Sequence, residues 1–217
     1  FASSSGQAWN IANVEYDIAA DGTGNMTLHT TFDIGDSLVT DMTASVTDNG
    51  ALTVTATVLG VPHSLSGMVS ADGFAVLVDH EASDGFVGLE VAVKASSGLT
   101  NASVSGTYIA HGLWIAFTGG DQAQQSAAGV EWGSLTFNGD GTGQVTHKLN
   151  DDSLEVTWDM TYTVADDGKL TCEVTDGEGK TTSVTGAINA TGEIVIASDV
   201  DATDDWGFVG FDVAIRL

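Results

Sequence analysis

Apolar and polar residues alternate along most of this chain. Leu154, Val156 and Trp158 fall on one face of an extended segment, and Ser153, Glu155, Thr157 and Asp159 on the other. A side-chain period of two marks a strand with one face buried. Read this way, the residues from Ser105 onward form eight strands. SGTYIAHGLWIAF (Ser105–Phe117) is the first, and the polar stretch TGGDQAQQSAAG reads as the loop after it. EWGSLTF and GQVTHKL flank the turn NGDG; SLEVTWDMTYTV and KLTCEVT flank ADDG; TTSVTGAI and EIVIAS flank NATG. GFVGFDVAIR follows an acidic loop and closes the set. Turns of the D-G and N-G kind supply the positive φ that tight hairpins demand. A single proline, 27 glycines and abundant Thr and Val argue for strands throughout.

The pattern is written twice. VEYDIAADGTGNMT (Val14–Thr27) returns as VEWGSLTFNGDGTGQVT (Val130–Thr146), and VTDNGALTV (Val46–Val54) as VADDGKLTC (Val164–Cys172). SGMVSADG (Ser66–Gly73) returns as TGAINATG (Thr185–Gly192), and GFVGLEVAVK (Gly85–Lys94) as GFVGFDVAIR (Gly207–Arg216). So long a period means two whole small domains rather than a solenoid. The boundaries fall at residues 1–94 for the first repeat, 95–103 for a linker and 104–217 for the second.

Eight antiparallel strands in sequence order leave two raw edges in an open sheet, and closure into an up-and-down barrel removes both. The fold expected is all-β: two tandem antiparallel barrels of about eight strands each. The first copy lacks its first strand. Phe1 to Tyr16 align without a gap with Phe117 to Trp132, and Phe117 ends the first strand of the second copy. The open slot suits a segment like SGTYIAHGLWIAF, supplied by a longer chain or by a neighbour through strand addition. Self-association is therefore an expected mode of partnership.

The second repeat resembles a calycin, the lipocalin-like class of eight-stranded barrels. Gly106-Thr107-Tyr108 is similar to the Gly-x-Trp of that class, with Tyr for Trp, and Gly112-Leu113-Trp114 offers a second such motif. Arg216 stands where the class places a basic residue across that aromatic. The resemblance covers about residues 104 to 217 and part of the first copy. Eight strands, independently of the resemblance, give an interior just wide enough to fill with side chains or to hold one small ligand.

Charge narrows the partners. With 30 Asp and Glu against 5 Lys and Arg the formal net charge is −25, which repels nucleic acid and anionic lipid. No apolar run approaches the ~18 residues of a membrane helix, so no membrane insertion is expected. No signal-peptide pattern opens the chain at FASSSGQ. The lone Cys172 matches Val54 in the first copy, which points to packing.

Candidate chemistry is sparse. His29, His63, His80, His111 and His147 show no zinc-ligand spacing. Asp199, Asp201, Asp204 and Asp205 form one acidic loop, and Asp79, Glu81 and Asp84 its counterpart. Oxygen ligands of this kind suit Ca²⁺, though neither set has the EF-hand pattern. Tyr108, Trp114, Trp132 and Trp158 are the candidate ligand-binding aromatics, with core filling as their plain alternative. Tyr16 matches Trp132 in the repeat. Glu131, Glu155 and Asp159 are the carboxylates that could pair, but Glu155 and Asp159 alternate onto the face opposite Trp158. NMT, NAS and NAT place glycosylation triplets at Asn25, Asn101 and Asn189. The reading is a non-enzymatic acidic module of the extracellular space or cell surface, structural or binding, and a subunit of a larger assembly. The alternative is a lipocalin-like carrier of a small apolar ligand inside one barrel.

Overall fold

The computed structural model describes residues 12–30, 38–58, 61–81, 86–118, 124–149, 155–202 and 206–217. They are strands joined by turns, with a single turn of 3-10 helix at Asn101–Val104. The chain forms two compact units, one spanning Asn10–Ala92 and the other including Val93–Leu217.

The first unit is one antiparallel sheet. Its strands are β1 (Ala12–Ile18), β2 (Thr23–Thr30), β3 (Leu38–Val46), β4 (Ala51–Val58), β5 (Val61–Val69), β6 (Phe74–Glu81) and β7 (Phe86–Val93), paired in sequence order. The second unit holds β8 (Gly106–Thr118), β9 (Gln124–Phe137), β10 (Thr142–Leu149), β11 (Val156–Val164), β12 (Lys169–Thr175), β13 (Thr181–Ile188), β14 (Ile194–Ala202) and β15 (Trp206–Arg216). These eight close into a barrel, with β8 pairing β15 on one side and β9 on the other. Among the described residues the first sheet has a counterpart of every strand of this set except β8.

The duplication extends to single hydrogen bonds. The carbonyl of Gly22 accepts from the Ala44 amide at 2.7 Å, as that of Gly141 does from Tyr162 at 2.8 Å. Gly50 and Val69 repeat as Gly168 and Ile188, at 2.8 and 3.0 Å. These glycines hold φ near +80 to +100°, which few other residues accept. In each first hairpin an aspartate folds back onto a threonine two residues on: Asp21 onto Thr23 and Asp140 onto Thr142. Those bonds favour the ionised form and lower both carboxyl pKa values.

Three details differ from the sequence reading. The polar stretch after β8 is not all loop, because β9 begins at Gln124. Small residues there follow no alternation, but the long β8 gives them a ladder down to Thr118 opposite Gln124. The acidic segments are likewise partly strand. Asp199 and Asp201 belong to β14, which pairs with β15 as far as Ala202, and Asp79 and Glu81 belong to β6. Finally, Tyr16 is not the equivalent of Trp132. Tyr16 pairs with Met26, whose counterpart Val145 pairs with Leu135, so the gap between the copies falls earlier than sequence similarity placed it.

The barrel core gathers at one end. Tyr108, Phe137, Tyr162, Val164, Leu170, Cys172, Ile188 and Val195 are buried there. Phe137 meets Tyr108 and Tyr162 edge-on, with ring centroids 5.3 and 4.8 Å away. The segment 95–103 does more than link. Leu99 and Val104 enter this core, Asn101 Oδ1 accepts the Val164 amide at 2.8 Å, and the Gly98 amide donates to Asp166 at 3.1 Å. It packs against that end of the core as a plug. The first sheet packs Met26, Met42, Leu52, Val54, Leu65 and Leu77 on its inner face. Cys172 and Val54 hold the same place in their cores, and burial pushes the Cys172 thiol up to about 12.

Candidate functional site

Strand alternation sorts the candidate residues into inside and outside. On β8 the buried Tyr108, Ala110, Gly112 and Ala116 face inward, which places Trp114 inside and His111 and Leu113 outside. On β9 the buried Phe137 puts Glu131 inside and the exposed Trp132 outside. The same logic turns His147, Trp158, Asp199 and Asp212 inward.

Tyr108 belongs to the apolar core. Arg216 lies over its ring, 5.5 Å from the centroid, and donates from Nε to the Tyr108 hydroxyl at 3.1 Å. Arg216 Nη2 also donates to the carbonyls of Ser103 at 2.9 Å and Gly192 at 2.5 Å. The Tyr108 hydroxyl itself donates to the Gly192 carbonyl. Burial raises the phenol pKa. One guanidinium thus ties the last strand, the first strand, the plug and a turn, which is a structural role.

Trp132 stands on the outer wall with Lys148 Nζ 5.7 Å from its ring. With Leu113, Val130 and Phe211 it lines a shallow apolar groove of about 350 Å³.

Trp114 and Trp158 face the other half of the interior, beyond the apolar core. Two rows of paired residues define this region. Ala197, Asp212, Gly112 and Glu131 are successive partners across β14, β15, β8 and β9. Asp199, Gly210, Trp114 and Gly129 form the next row. The inward positions beside the carboxylates are therefore Gly or Ala. Gly112 is required: a Cβ there would stand 2.2 Å from Asp212 Oδ1. His147 Nδ1 lies 3.5 Å from Glu131, and its ring packs 4.2 Å from that of Trp158.

Asp212 is the outlier of the group. Its carboxyl is partly buried, facing Gly112, and its partners across the ladder are Gly112 and Ala197. Burial, with Glu131 and Asp199 adding repulsion, pushes its pKa up to about 8. Its counterpart in the first sheet, Glu90, accepts the hydroxyl of Tyr16 instead.

The other sequence candidates scatter. Glu155 and Asp159 are exposed, as their alternation implied. Asp84, Asp204 and Asp205 lie outside the described residues, as do the side chains of Asp79, Glu81 and Asp201. Among the described residues no group of three or more His, Cys, Asp or Glu converges as a metal requires. Asn189 is fully buried, its Oδ1 accepting the amides of Glu193 and Ile194, so it is no glycosylation acceptor. Asp212 escaped the sequence reading, although its signal was present. In GFVGFDVAIR it shares a face with Ala214 and Gly210, the two small inward residues.

No protein-family model matches the chain, and no curated protein does. Among solved structures the chain is similar to a protein of unknown function from the DUF3598 family of Nostoc punctiforme. The identity is 9% and the TM-score 0.38, over 96% of this chain and 88% of that one.

Proposed function

We propose that the protein is a non-enzymatic module of the cell exterior that joins a larger assembly by accepting a β-strand into its first sheet. One observation carries this reading. Strands β1–β7 match β9–β15 turn for turn, and among the described residues no strand takes, between β1 and β7, the position that β8 fills in the barrel. In the barrel that strand pairs along its whole length on both sides, from Gly106 to Thr118 with β9 and from Tyr108 to Thr118 with β15. Neighbouring strands lie about 4.8 Å apart, so an absent strand leaves a slot roughly 10 Å wide. Main-chain hydrogen bonds would give the incoming strand its affinity and alternate side chains its specificity. The net charge of −25 suits a soluble surface repelled by nucleic acid and anionic lipid. Among the described residues no helix is long and apolar enough to cross a membrane. The stacked Arg216 and Tyr108 add to the calycin resemblance of the second unit.

The test is a synthetic peptide with the sequence of residues 105–117. It should bind the whole protein one to one and raise the melting temperature of the first unit, while a scrambled peptide does neither. Equal behaviour of the two peptides would refute the slot.

A further inference from the structure

We propose that the outer face of β14, β15, β8 and β9 docks against the same face of a second copy of this chain, related by a two-fold axis. This surface lies on the closed barrel and is independent of the strand slot. On the opposite wall the barrel follows the ordinary pattern. Thr161 of β11 and Thr171 and Glu173 of β12 face solvent, while Met160, Tyr162, Leu170 and Cys172 between them are buried. Across β14, β15, β8 and β9 the pattern is reversed. Ile196, Val213, His111 and Trp132 are successive outward partners in one row, and Ser198, Phe211, Leu113 and Val130 in the next. Glu131 and Asp212 take the inward positions between them. Leu113, Val130 and Trp132 are about half exposed, at 49, 51 and 48%, and Ile109 and Ile215 extend the face by a further row. A contiguous apolar face of this kind marks an interaction surface. The first sheet repeats it with other residues. Met68 pairs with Val76 where Ala187 pairs with Ile196, Leu89 stands for Phe211, and all three are exposed.

Charge and size select the occupant. The chain carries 30 Asp and Glu, yet none stands at the outward positions of these rows. Two copies of net charge −25 repel one another, and an acid-free face is where they approach at least cost. A basic partner would find no carboxylate here to pair with. Four strands about 4.8 Å apart, with the residues from Ile109 to Ile115 rising about 3.4 Å each, make the face roughly 20 Å square. That suits the apolar core of a standard interface of about 800 Å² a side, whose rim is polar. The face is also self-complementary. The half-exposed Trp132 stands beside the groove of about 350 Å³ that it lines with Leu113, Val130 and Phe211. A two-fold axis brings each Trp132 to the groove of the other copy, so each supplies both a knob and a hole.

Sedimentation equilibrium of the whole protein at micromolar concentrations tests the surface. The expectation is a monomer–dimer equilibrium that tightens as NaCl screens the net charge. Leu113→Glu puts an acid at the centre of the face, and Trp132→Ser removes the knob. Each should weaken dimerisation at least tenfold. Both side chains are open to solvent, so both variants should melt close to the parent. Thr171→Glu, on the opposite wall, should dimerise as the parent does. A saturating peptide of residues 105–117 should leave the dimer intact, because the slot lies elsewhere. The proposal fails if the parent is a monomer throughout, whether or not it then binds vesicles of neutral phosphatidylcholine. It fails if folded Leu113→Glu and Trp132→Ser dimerise unchanged, or if Thr171→Glu disrupts the dimer as strongly. Dissociation by the peptide would also overturn it, since the slot would then be the joint.

Discussion

The hydroxyl of Tyr16 donates to the carboxylate of Glu90, joining the first and last strands of the open sheet through their side chains. In the barrel the same two strands are separated by β8, and main-chain ladders do the joining. Both arrangements hold a carboxyl at the same register position of the last strand. One copy satisfies it internally and the other leaves it facing the bore.

Tyr16→Phe should therefore destabilise the first unit, because the partly buried Glu90 loses a donor. The expected cost is about 1–3 kcal/mol. Denaturant unfolding followed with a probe in the first unit measures it. The double variant Tyr16→Phe, Glu90→Leu should recover part of the loss; if the single variant costs nothing, the bridge does not hold the edges.

The pH dependence of Asp212 has a definite sign. Its pKa is raised to about 8 in the fold and returns to the ordinary carboxylate range on unfolding. Between those values the native state holds a proton that the unfolded chain has lost. The contribution is complete below about pH 4 and disappears as pH rises through about 8, at roughly 1.4 kcal/mol per pH unit. Glu131 and Asp199 face the same carboxyl, and His147 faces Glu131, so a difference measurement isolates the effect. The stability of Asp212→Asn minus that of the parent should grow from pH 5 to pH 8. A flat difference would place the carboxyl in contact with water.

The plug makes a third prediction. Leu99→Ala should cost about 2–5 kcal/mol, nearer the lower figure because the residue sits at the rim of the core. Asn101→Ala should cost about 1–3 kcal/mol by leaving the Val164 amide without its acceptor. A fragment beginning at Ala95 should unfold cooperatively, and one beginning at Gly106 should melt far lower. Equal melting of the two fragments would make 95–103 a linker after all.

Screening should raise stability at neutral pH. Self-repulsion among 30 acidic groups opposes the compact state, and 0.15 M salt confines it within about 8 Å. Melting temperatures between low and high NaCl decide this, and a fall would count against it. Stabilisation by Ca²⁺ far beyond a control of equal ionic strength would support the proposal that the acidic strand ends hold that ion.

Much of this fold is legible in the alternation. The turn glycines, the repeat and the seven-strand order of the first sheet's described residues are all legible because tight hairpins admit few residues and a duplication offers an internal control. The strand ends were not. Gln124–Gly129 and Asp199–Ala202 carry no hydrophobic alternation, and only a long partner strand extends the ladder through them. The interior acids were hidden for a related reason. An aspartate at an inward position breaks the pattern that reveals strands, so Asp212 reads as surface until the small residues beside it show which way it points. Trp132 misled in the opposite sense, as a large aromatic on the outside of a barrel.

The pairing of β8 with β15 also sets an order of events during synthesis. The seam joins Tyr108 to Arg216 and cannot form until β15 has been made. Until then β8 has only β9 on one side, while among the described residues the sheet made before it has β1 and β7 each paired on one side only. Chains halted before Ile194 would report the outcome through hydrogen exchange of β8 amides against β1 and β7. A nascent molecule thus carries β8 before β15 exists to pair it, and the arrival of β15 completes the barrel.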